Sequence, residues 1–302
     1  MQVDWGDAER RLTARVSVLT GAKGGTYPSA NSVLVRGDSE TFLIDPSTEV
    51  VQRGGTPAPV DALLHSHAHE DHMCGNRLFA DARVHIHEAD LPGARSLDGM
   101  MAIFGFQDEA LERSFRRAVV DEFHFEPRPD AEGFADGARF DLGALCVEAV
   151  HLPGHTRGHS GFRIGEDVFF LADVDLTGFG PYYGDAWSDL DQFEESLHRV
   201  RDEDFAYYVT SHQKGVIEGR ADFVERLDAY LGVIERRHAA MLEFLSEPHD
   251  LAEMAAHRFV FRPTAESPVL AQVETRSAEL HVARMLARGE AVEVEPGRVR
   301  SI

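Results

Sequence analysis

The feature that most constrains this chain is the stretch at residues 65–72, His-Ser-His-Ala-His-Glu-Asp-His, which places four histidines and two acids within eight residues. A buried segment avoids so many groups that need hydrogen bonds, and a surface turn more often uses Ser, Asn or Gly. Imidazole and carboxylate groups are, however, the usual ligands of Zn²⁺ and related ions. The stretch therefore predicts a metal site rather than a surface loop.

Apolar runs typical of short buried strands precede this stretch and three further candidate ligands. The four runs are residues 60–64 before the histidine-rich stretch, 145–150 before the loop with His155, 167–172 before Asp173, and 206–210 before His212. An α/β protein usually presents its site at the carboxyl ends of its strands. Four strands that each end in a metal-competent residue therefore predict one common site.

The order His-x-His-x-Asp-His, Pro-Gly-His-Thr, strand–Asp and strand–His resembles the metallo-β-lactamase superfamily, and most closely its glyoxalase II-like hydrolases, over about residues 30–215. The resemblance implies an α/β fold, an αββα sandwich with a dinuclear site at one edge. It also implies that one metal binds His67, His69 and His155, that the other binds Asp71, His72 and His212, and that Asp173 bridges them. Asp71 and Asp173 are thereby implied as catalytic residues.

The spacing of the ligands is consistent with such a site. Ligands at positions i, i+2, i+4 and i+5 of a tight loop can diverge toward two ions, which in two-metal sites lie about 3.5–4 Å apart. A metal-bound hydroxide then acts as the nucleophile, and no Ser or Cys is needed. Imidazole ligands favour zinc, with iron or manganese as alternatives. Cys74 and His65 are interpreted as structural residues, and Asp45 as either a turn residue or a support for the site.

Three functions are compatible with these motifs. The first is a hydrolase of a thioester, ester or lactone, the second a mononuclear iron persulfide dioxygenase of similar fold, and the third a nuclease. The complete second ligand set favours the hydrolase. The net charge of −22 and the lack of a Lys/Arg run argue against binding to nucleic acid or anionic membranes. A small-molecule substrate is therefore expected.

Two regions are candidates for a substrate pocket. The loop at residues 174–188 follows Asp173 and carries aromatic side chains that could line a pocket or simply pack. These are Phe179, Tyr182, Tyr183 and Trp187. The segment at 92–137 is a long insertion that could form a lid or contribute to the core. His85 and His87 share one face of a strand, and a structural role is favoured for both.

The chain is predicted to have two domains. Residues 1–245 would form the catalytic domain. Residues 246–302 would form a small α+β, winged-helix-like appendage, with helices at 251–256 and 278–288 and a hairpin at 291–300. Dimerisation or closure of the pocket is its preferred role, because its charges are mixed. No apolar run reaches a membrane-spanning length, no secretory signal is visible and there are two cysteines, which together predict a cytoplasmic protein.

Overall fold

A computed structural model of the chain describes residues 2–302. The strands are β1 (Glu9–Arg11), β2 (Val16–Leu19), β3 (Ser32–Arg36), β4 (Thr41–Ile44), β5 (Ala62–His65), β6 (Arg83–His87), β7 (Glu132–Phe134), β8 (Arg139–Asp141), β9 (Cys146–His151), β10 (Ser160–Ile164), β11 (Val168–Ala172), β12 (Tyr207–Thr210), β13 (Val216–Glu218), β14 (Ala291–Glu295) and β15 (Arg298–Ser301). The α-helices are α1 (Ala22–Gly25), α2 (Thr48–Arg53), α3 (Glu70–Met73), α4 (Leu91–Arg95), α5 (Leu97–Phe104), α6 (Glu109–Asp121), α7 (Leu190–Val200), α8 (Arg220–Phe244), α9 (Leu251–His257) and α10 (Leu270–Arg288). Two 3₁₀ turns lie at Gly6–Ala8 and Cys74–Leu78.

Two mixed sheets form the centre of the molecule. The first contains β1 to β7 in sequence order, and the second has the order β13-β12-β11-β10-β9-β8. Strands β4, β5, β6 and β7 are parallel, as are β11 and β12. Because parallel neighbours start and end on the same sides, the carboxyl ends of β4, β5 and β6 meet at one edge of the first sheet.

Side-chain alternation along the strands separates the three layers of the core. On β3, Val33 and Val35 contribute to the apolar core between the two sheets, whereas Leu34 belongs to the core beneath the helices on the outer face. Helices α2, α4, α5 and α6 cover the first sheet, and α7 and α8 cover the second. This arrangement confirms the expected αββα sandwich.

Most of the predicted strands and helices are present with boundaries shifted by one or two residues. The strand β10 was missed because Ser160, Gly161 and Arg163 interrupt its apolar pattern, although β9 and β11 pair with it on either side. The insertion at 92–137 contains α4 in part, then α5, α6 and β7. It packs into the core of the first sheet through α5 and also reaches the site described below.

The C-terminal segment folds as two helices and a hairpin, and its small apolar core is shared with the end of α8. Helix α10 begins at Leu270, well before the predicted start at 278. Polar residues in its first turns interrupt the apolar pattern that would have indicated the earlier start. One of them, Glu274, is buried and accepts hydrogen bonds from the backbone N–H groups of residues 259–261. The domain boundary near residue 245 stays a prediction. Within residues 2–302, no helix combines the length and apolar character that a membrane crossing requires.

The packing between the sheets generates a stability prediction. Phe170 of β11 is fully buried and stacks on Phe162 of β10, with ring centroids 6.4 Å apart. We expect Phe170→Ala to lower the free energy of unfolding by about 3–5 kcal/mol, because it removes a large side chain and leaves a cavity. Urea denaturation measures this change. The control Val292→Ala, at a side chain 40% exposed on β14, should change it by less than about 0.5 kcal/mol. Equal effects would contradict the layer assignment.

Candidate metal centre

The structure brings all seven predicted metal ligands together at one edge of the sandwich. The loop after β5 carries His67 and His69, helix α3 carries Asp71 and His72, the loop after β9 carries His155, and Asp173 and His212 follow β11 and β12. Ligand atoms of His67, His69, His155 and Asp173 lie within 4.8 Å of one another, as do those of Asp71, His72 and His212.

Asp173 connects these two groups. Its Oδ2 lies 3.9 Å from His67 Nε2, 3.4 Å from His155 Nε2 and 3.5 Å from His212 Nε2. Its Oδ1 lies 3.2 Å from His72 Nε2. Two ligands of a tetrahedral ion at about 2.0–2.1 Å would be separated by about 3.4 Å, so these separations fit ligands of shared ions.

The ligand atoms have few protein partners of their own. His67 Nε2, His72 Nε2, Asp71 Oδ2 and Asp173 Oδ1 are buried and have no hydrogen-bond partner among the described residues. Leaving one such atom unpaired is destabilising, and several at one point are rare in native proteins. Imidazole nitrogens and carboxylate oxygens that converge in this way fit divalent metal ions.

The opposite nitrogen of several imidazoles is held by an acceptor, which fixes the ring and leaves Nε2 directed inward. The Nδ1 of His155 donates to the carbonyl oxygen of Tyr182 at 3.0 Å. The Nδ1 of His212 donates to the carbonyl oxygen of Gly25 at 2.8 Å, which gives the glycine-rich loop after β2 a role in the site. Such outer contacts are typical of metal-binding histidines.

Asp45, at the end of β4, supports two of the ligands. Its Oδ2 accepts a hydrogen bond from His72 Nδ1 at 3.0 Å and another from the Ser66 hydroxyl at 2.6 Å. Because that hydroxyl donates to Asp45, it accepts from His67 Nδ1 at 2.9 Å. Of the two roles left open for Asp45, the structure supports the one at the site.

Asp185 was not identified from the sequence. It is buried in the loop between β11 and α7, and its Oδ2 lies 3.2 Å from His69 Nε2. The other nitrogen of that ring, His69 Nδ1, lies 3.1 Å from His155 Nε2 and so faces the site. His69 therefore presents a different nitrogen from His155 and His72, and Asp185 orients it. Nothing in the local sequence distinguishes Asp185 from its neighbours.

Two further buried residues hold the loops around the site. His159 Nε2 accepts the backbone N–H of Asp173 at 3.1 Å, while its Nδ1 donates to the carbonyl oxygen of Leu152. Asp90 accepts from the backbone of Ala68 and Gly158 and so joins the two histidine loops. Neither was predicted, because these contacts form only when separate loops come together in the fold.

The glycine before His155 has a steric role. Gly154 has φ +127°, and a Cβ added there would overlap the backbone of Phe193 in α7. Because Gly154 has no side chain, the His155 loop packs directly against α7. The Pro-Gly-His motif therefore reflects packing as well as ligand placement.

Burial and neighbouring charges shift the pKa values of the cluster. Burial alone would raise the pKa of Asp173, but His72, His212 and His67 hold it well below its usual range, so this carboxyl is charged. Burial lowers the pKa of His155 to about 4, and the nearby His69 adds to this effect. Burial raises the pKa of Asp175, which accepts the backbone N–H of His212, to about 7.

The residues interpreted as structural lie outside the cluster. His65 is fully buried and is not among the clustered ligand atoms, and the Cys74 thiol donates to the carbonyl oxygen of Glu70. His87 stacks on His151 with ring centroids 3.9 Å apart, and His85 Nδ1 lies 3.6 Å from Glu132.

A cavity of about 400 Å³ lies beside the cluster, and two of the four candidate aromatic side chains line it. These are Phe179 and Tyr182. Tyr183 does not, because it is buried against the C-terminal segment with its hydroxyl 3.0 Å from His281 Nε2. Trp187 also lies outside, where its ring packs beneath the guanidinium of Arg157 at 4.5 Å.

Comparison with solved structures supports the fold over almost the whole chain. A metallo-beta-lactamase family protein from Thermus thermophilus superposes with a TM-score of 0.72 at 21% identity, covering 97% of this chain and 100% of that one. A beta-lactamase domain protein from Burkholderia ambifaria gives a TM-score of 0.70 at 17% identity, with coverage of 97% and 93%. At these identities the likeness concerns the fold alone.

Similar sequences cover shorter segments. An uncharacterized protein of Mycobacterium leprae is 28% identical over 53% of this chain and 72% of its own length. An uncharacterized protein of Mycobacterium tuberculosis is 31% identical over 41% of this chain, and a hydroxyacylglutathione hydrolase of Aeromonas salmonicida is 24% identical over 48%. The chain spans about half the length of these last two relatives, 50% and 46%.

A family model decides the assignment. The model of the metallo-beta-lactamase superfamily matches residues 25–212, a range that includes all seven side chains of the cluster. The match covers more than half of the chain and agrees with the αββα sandwich. The chain belongs to the metallo-β-lactamase superfamily.

Proposed function

We propose that this protein is a metal-dependent hydrolase that holds two divalent ions and cleaves an ester, thioester or lactone. The observation that carries the proposal is the position of Asp173, whose two oxygens face both ligand groups within 3.2–3.9 Å. His67, His69 and His155 would hold one ion, and Asp71, His72 and His212 the other. Asp173 would bridge them.

The chain's own residues prepare this chemistry. When bound, two divalent ions supply a hydroxide near neutral pH and polarise the substrate carbonyl. Asp45, Asp185 and the carbonyl oxygen of Tyr182 hold the imidazole rings in place, so the ligand atoms need not reorganise. Tyr182 lines the cavity beside His155, where its hydroxyl bonds to Asp185 at 3.2 Å.

Imidazole and carboxylate ligands favour zinc, and iron or manganese would also fit. The likeness to a hydroxyacylglutathione hydrolase makes thioesters the first class of substrate to test. The persulfide dioxygenase is less well supported, because a mononuclear site would not use Asp71, His72 and His212 as ligands. Nuclease activity is disfavoured by the net charge of −22. A small-molecule substrate remains the proposal.

Metal content tests the dinuclear assignment. Plasma mass spectrometry of the purified protein should find about two metal ions per chain, since both ligand groups are complete. Dialysis against a chelator should abolish turnover of a thioester, and added zinc, iron or manganese should restore it. One iron per chain, with oxygen uptake on a persulfide, would favour the dioxygenase instead.

Replacement of one proposed ligand tests which residues bind the metal. We expect His69→Ala to lose at least one metal per chain and to reduce kcat about 100-fold or more, because the ligand set that would hold one of the ions is then incomplete. The fold should persist by circular dichroism. The matched control is His85→Ala on β6, whose ring lies outside the cluster and which should keep full activity and metal content. Full activity of His69→Ala would refute the assignment.

The variant Asp185→Asn tests whether the contact of Asp185 with His69 contributes to metal binding. The variant should weaken metal binding about 10–100-fold, the usual effect of losing such a contact, while the unfolding midpoint changes little. The control is Asp189→Asn in the same loop, because Asn also caps a helix well and Asp189 caps α7 without touching the cluster. Metal affinity is measured by competition with a chelating dye. Equal affinity in the two variants would contradict the role of Asp185.

A further inference from the structure

The cavity beside the metal centre has one aromatic wall built by the insertion. Phe104, Phe106 and Phe115 line it. Their rings pack on one another, with centroids 4.7 Å apart for Phe104 and Phe115 and 5.1 Å for Phe106 and Phe115. The ring of Phe104 also stacks on His69 at 5.0 Å. An apolar surface therefore begins directly at a metal-binding side chain.

The facing wall comes from the loop after β11 and from the C-terminal segment. Phe179 and Phe261 contact each other with ring centroids 5.6 Å apart, and Pro268 and Val269 extend the same surface. A volume of about 400 Å³ is within the usual range of small-ligand pockets. The two walls suit an apolar group.

Carboxyl groups are the main ionisable groups of the cavity beside the histidines, and two of them, Asp71 and Asp173, belong to the ligand set proposed above. Its ionisable lining residues, apart from histidines and tyrosines, are Glu70, Asp71, Asp173, Asp175 and Asp185. Within residues 2–302, no Lys or Arg lines it. An enzyme that binds a carboxylate or phosphate usually supplies such a cation, since burial of an unpaired anion is strongly disfavoured.

Arginine side chains do occur in an adjoining cleft, which shares four lining residues with the cavity. Arg236 and Arg262 line this neighbouring cleft of about 800 Å³, and the shared residues include Phe179 and Phe261. Arg237 of that cleft is buried and donates to the carbonyl oxygens of Pro181 and Phe179. Its guanidinium is therefore already engaged.

We propose that the substrate is uncharged on both sides of the scissile bond, with an apolar acyl group held between the two aromatic walls. The inference rests on the proposed hydrolase function and narrows it. It predicts that thioesters of anionic thiols, such as glutathione and coenzyme A, are poor substrates. Selectivity would come from Phe104, Phe106 and Phe115 on one side and Phe261 on the other.

A matched pair of substrates tests the charge preference. The hexanoyl thioesters of N-acetylcysteamine and of glutathione share the acyl group and the reactive bond but differ in the charge of the thiol. We expect the metal-loaded protein to hydrolyse the neutral thioester with a kcat/KM at least about 100-fold higher, because no Lys or Arg of the described lining can pair with the carboxylates of the anionic thiol. Equal rates, or a preference for glutathione, would overturn the inference and leave the hydrolase standing. Hydrolysis of neither thioester, nor of neutral esters and lactones, would count against the proposed function itself.

Binding gives a second readout that does not require turnover. The S-hexyl thioethers of N-acetylcysteamine and glutathione cannot be hydrolysed, and calorimetry measures their affinity for the purified protein. The neutral thioether should bind about tenfold more tightly or better. Tighter binding of the glutathione thioether that is lost in Arg236→Ala with Arg262→Ala would overturn the inference in favour of the neighbouring cleft.

Two variants test the lining itself. Phe106→Ala should lower kcat/KM for the neutral hexanoyl thioester about tenfold or more and leave that for the acetyl thioester nearly unchanged, whereas Val120→Ala, at an exposed position of α6, should alter neither.

Val269→Lys should shift the preference toward the glutathione thioester at least about fivefold relative to Val269→Met, because it adds a cation to the wall. Thermal unfolding checks that each variant folds. An unchanged preference in a folded Val269→Lys protein would contradict the inference.

Discussion

The contact of the buried Asp173 carboxylate with imidazoles from three different loops is the interaction on which the arrangement of this molecule depends. Each of these groups loses its hydration on folding, which is unfavourable unless a partner replaces the water. The protein satisfies the outward atoms through Asp45 and the carbonyl oxygens of Tyr182 and Gly25. Several of the inward atoms, among them His67 Nε2, His72 Nε2 and Asp173 Oδ1, have no hydrogen-bond partner among the described residues. Because the outward atoms are held by partners while inward atoms face one another, the cluster fits a metal site and not a packing defect in the core.

The strand ends that carry these groups are conformationally strained. Asp45, Ala172 and Gln213 have φ values of 50°, 51° and 55°, a region that side-chain-bearing residues seldom adopt. Each such position is unfavourable by about 1–3 kcal/mol and persists only where the surrounding structure enforces it. Ala172 precedes Asp173 and Gln213 follows His212, so the strain lies where the backbone turns to direct a ligand. The packed layers beneath the strands provide the stability that tolerates it.

The sequence predicted the ligands that come directly after an apolar strand along the chain. Short apolar strands and the residues that follow them are adjacent along the chain, so Asp173 and His212 could be recognised from the pattern alone. Asp185, His159 and Asp90 could not, because each acts through a contact between loops that the sequence does not pair. The aromatic loop at 174–188 shows the same limit. Its composition is that of a pocket, yet Tyr183 turns toward His281 of α10 and away from the cavity.

That orientation follows from the way the C-terminal segment packs. Arg276 of α10 donates to the backbone carbonyl oxygens of Asp185 and Ser188, and Gln272 donates to that of Phe104. The first two contacts hold the loop that orients His69, and the third holds the end of α5 at the aromatic wall. The segment also supplies Phe261 and Val269 to the cavity. The shape of the cavity and the position of one ligand therefore both depend on residues beyond the family match, so sequences that agree only within that match can differ in the substrate they accept.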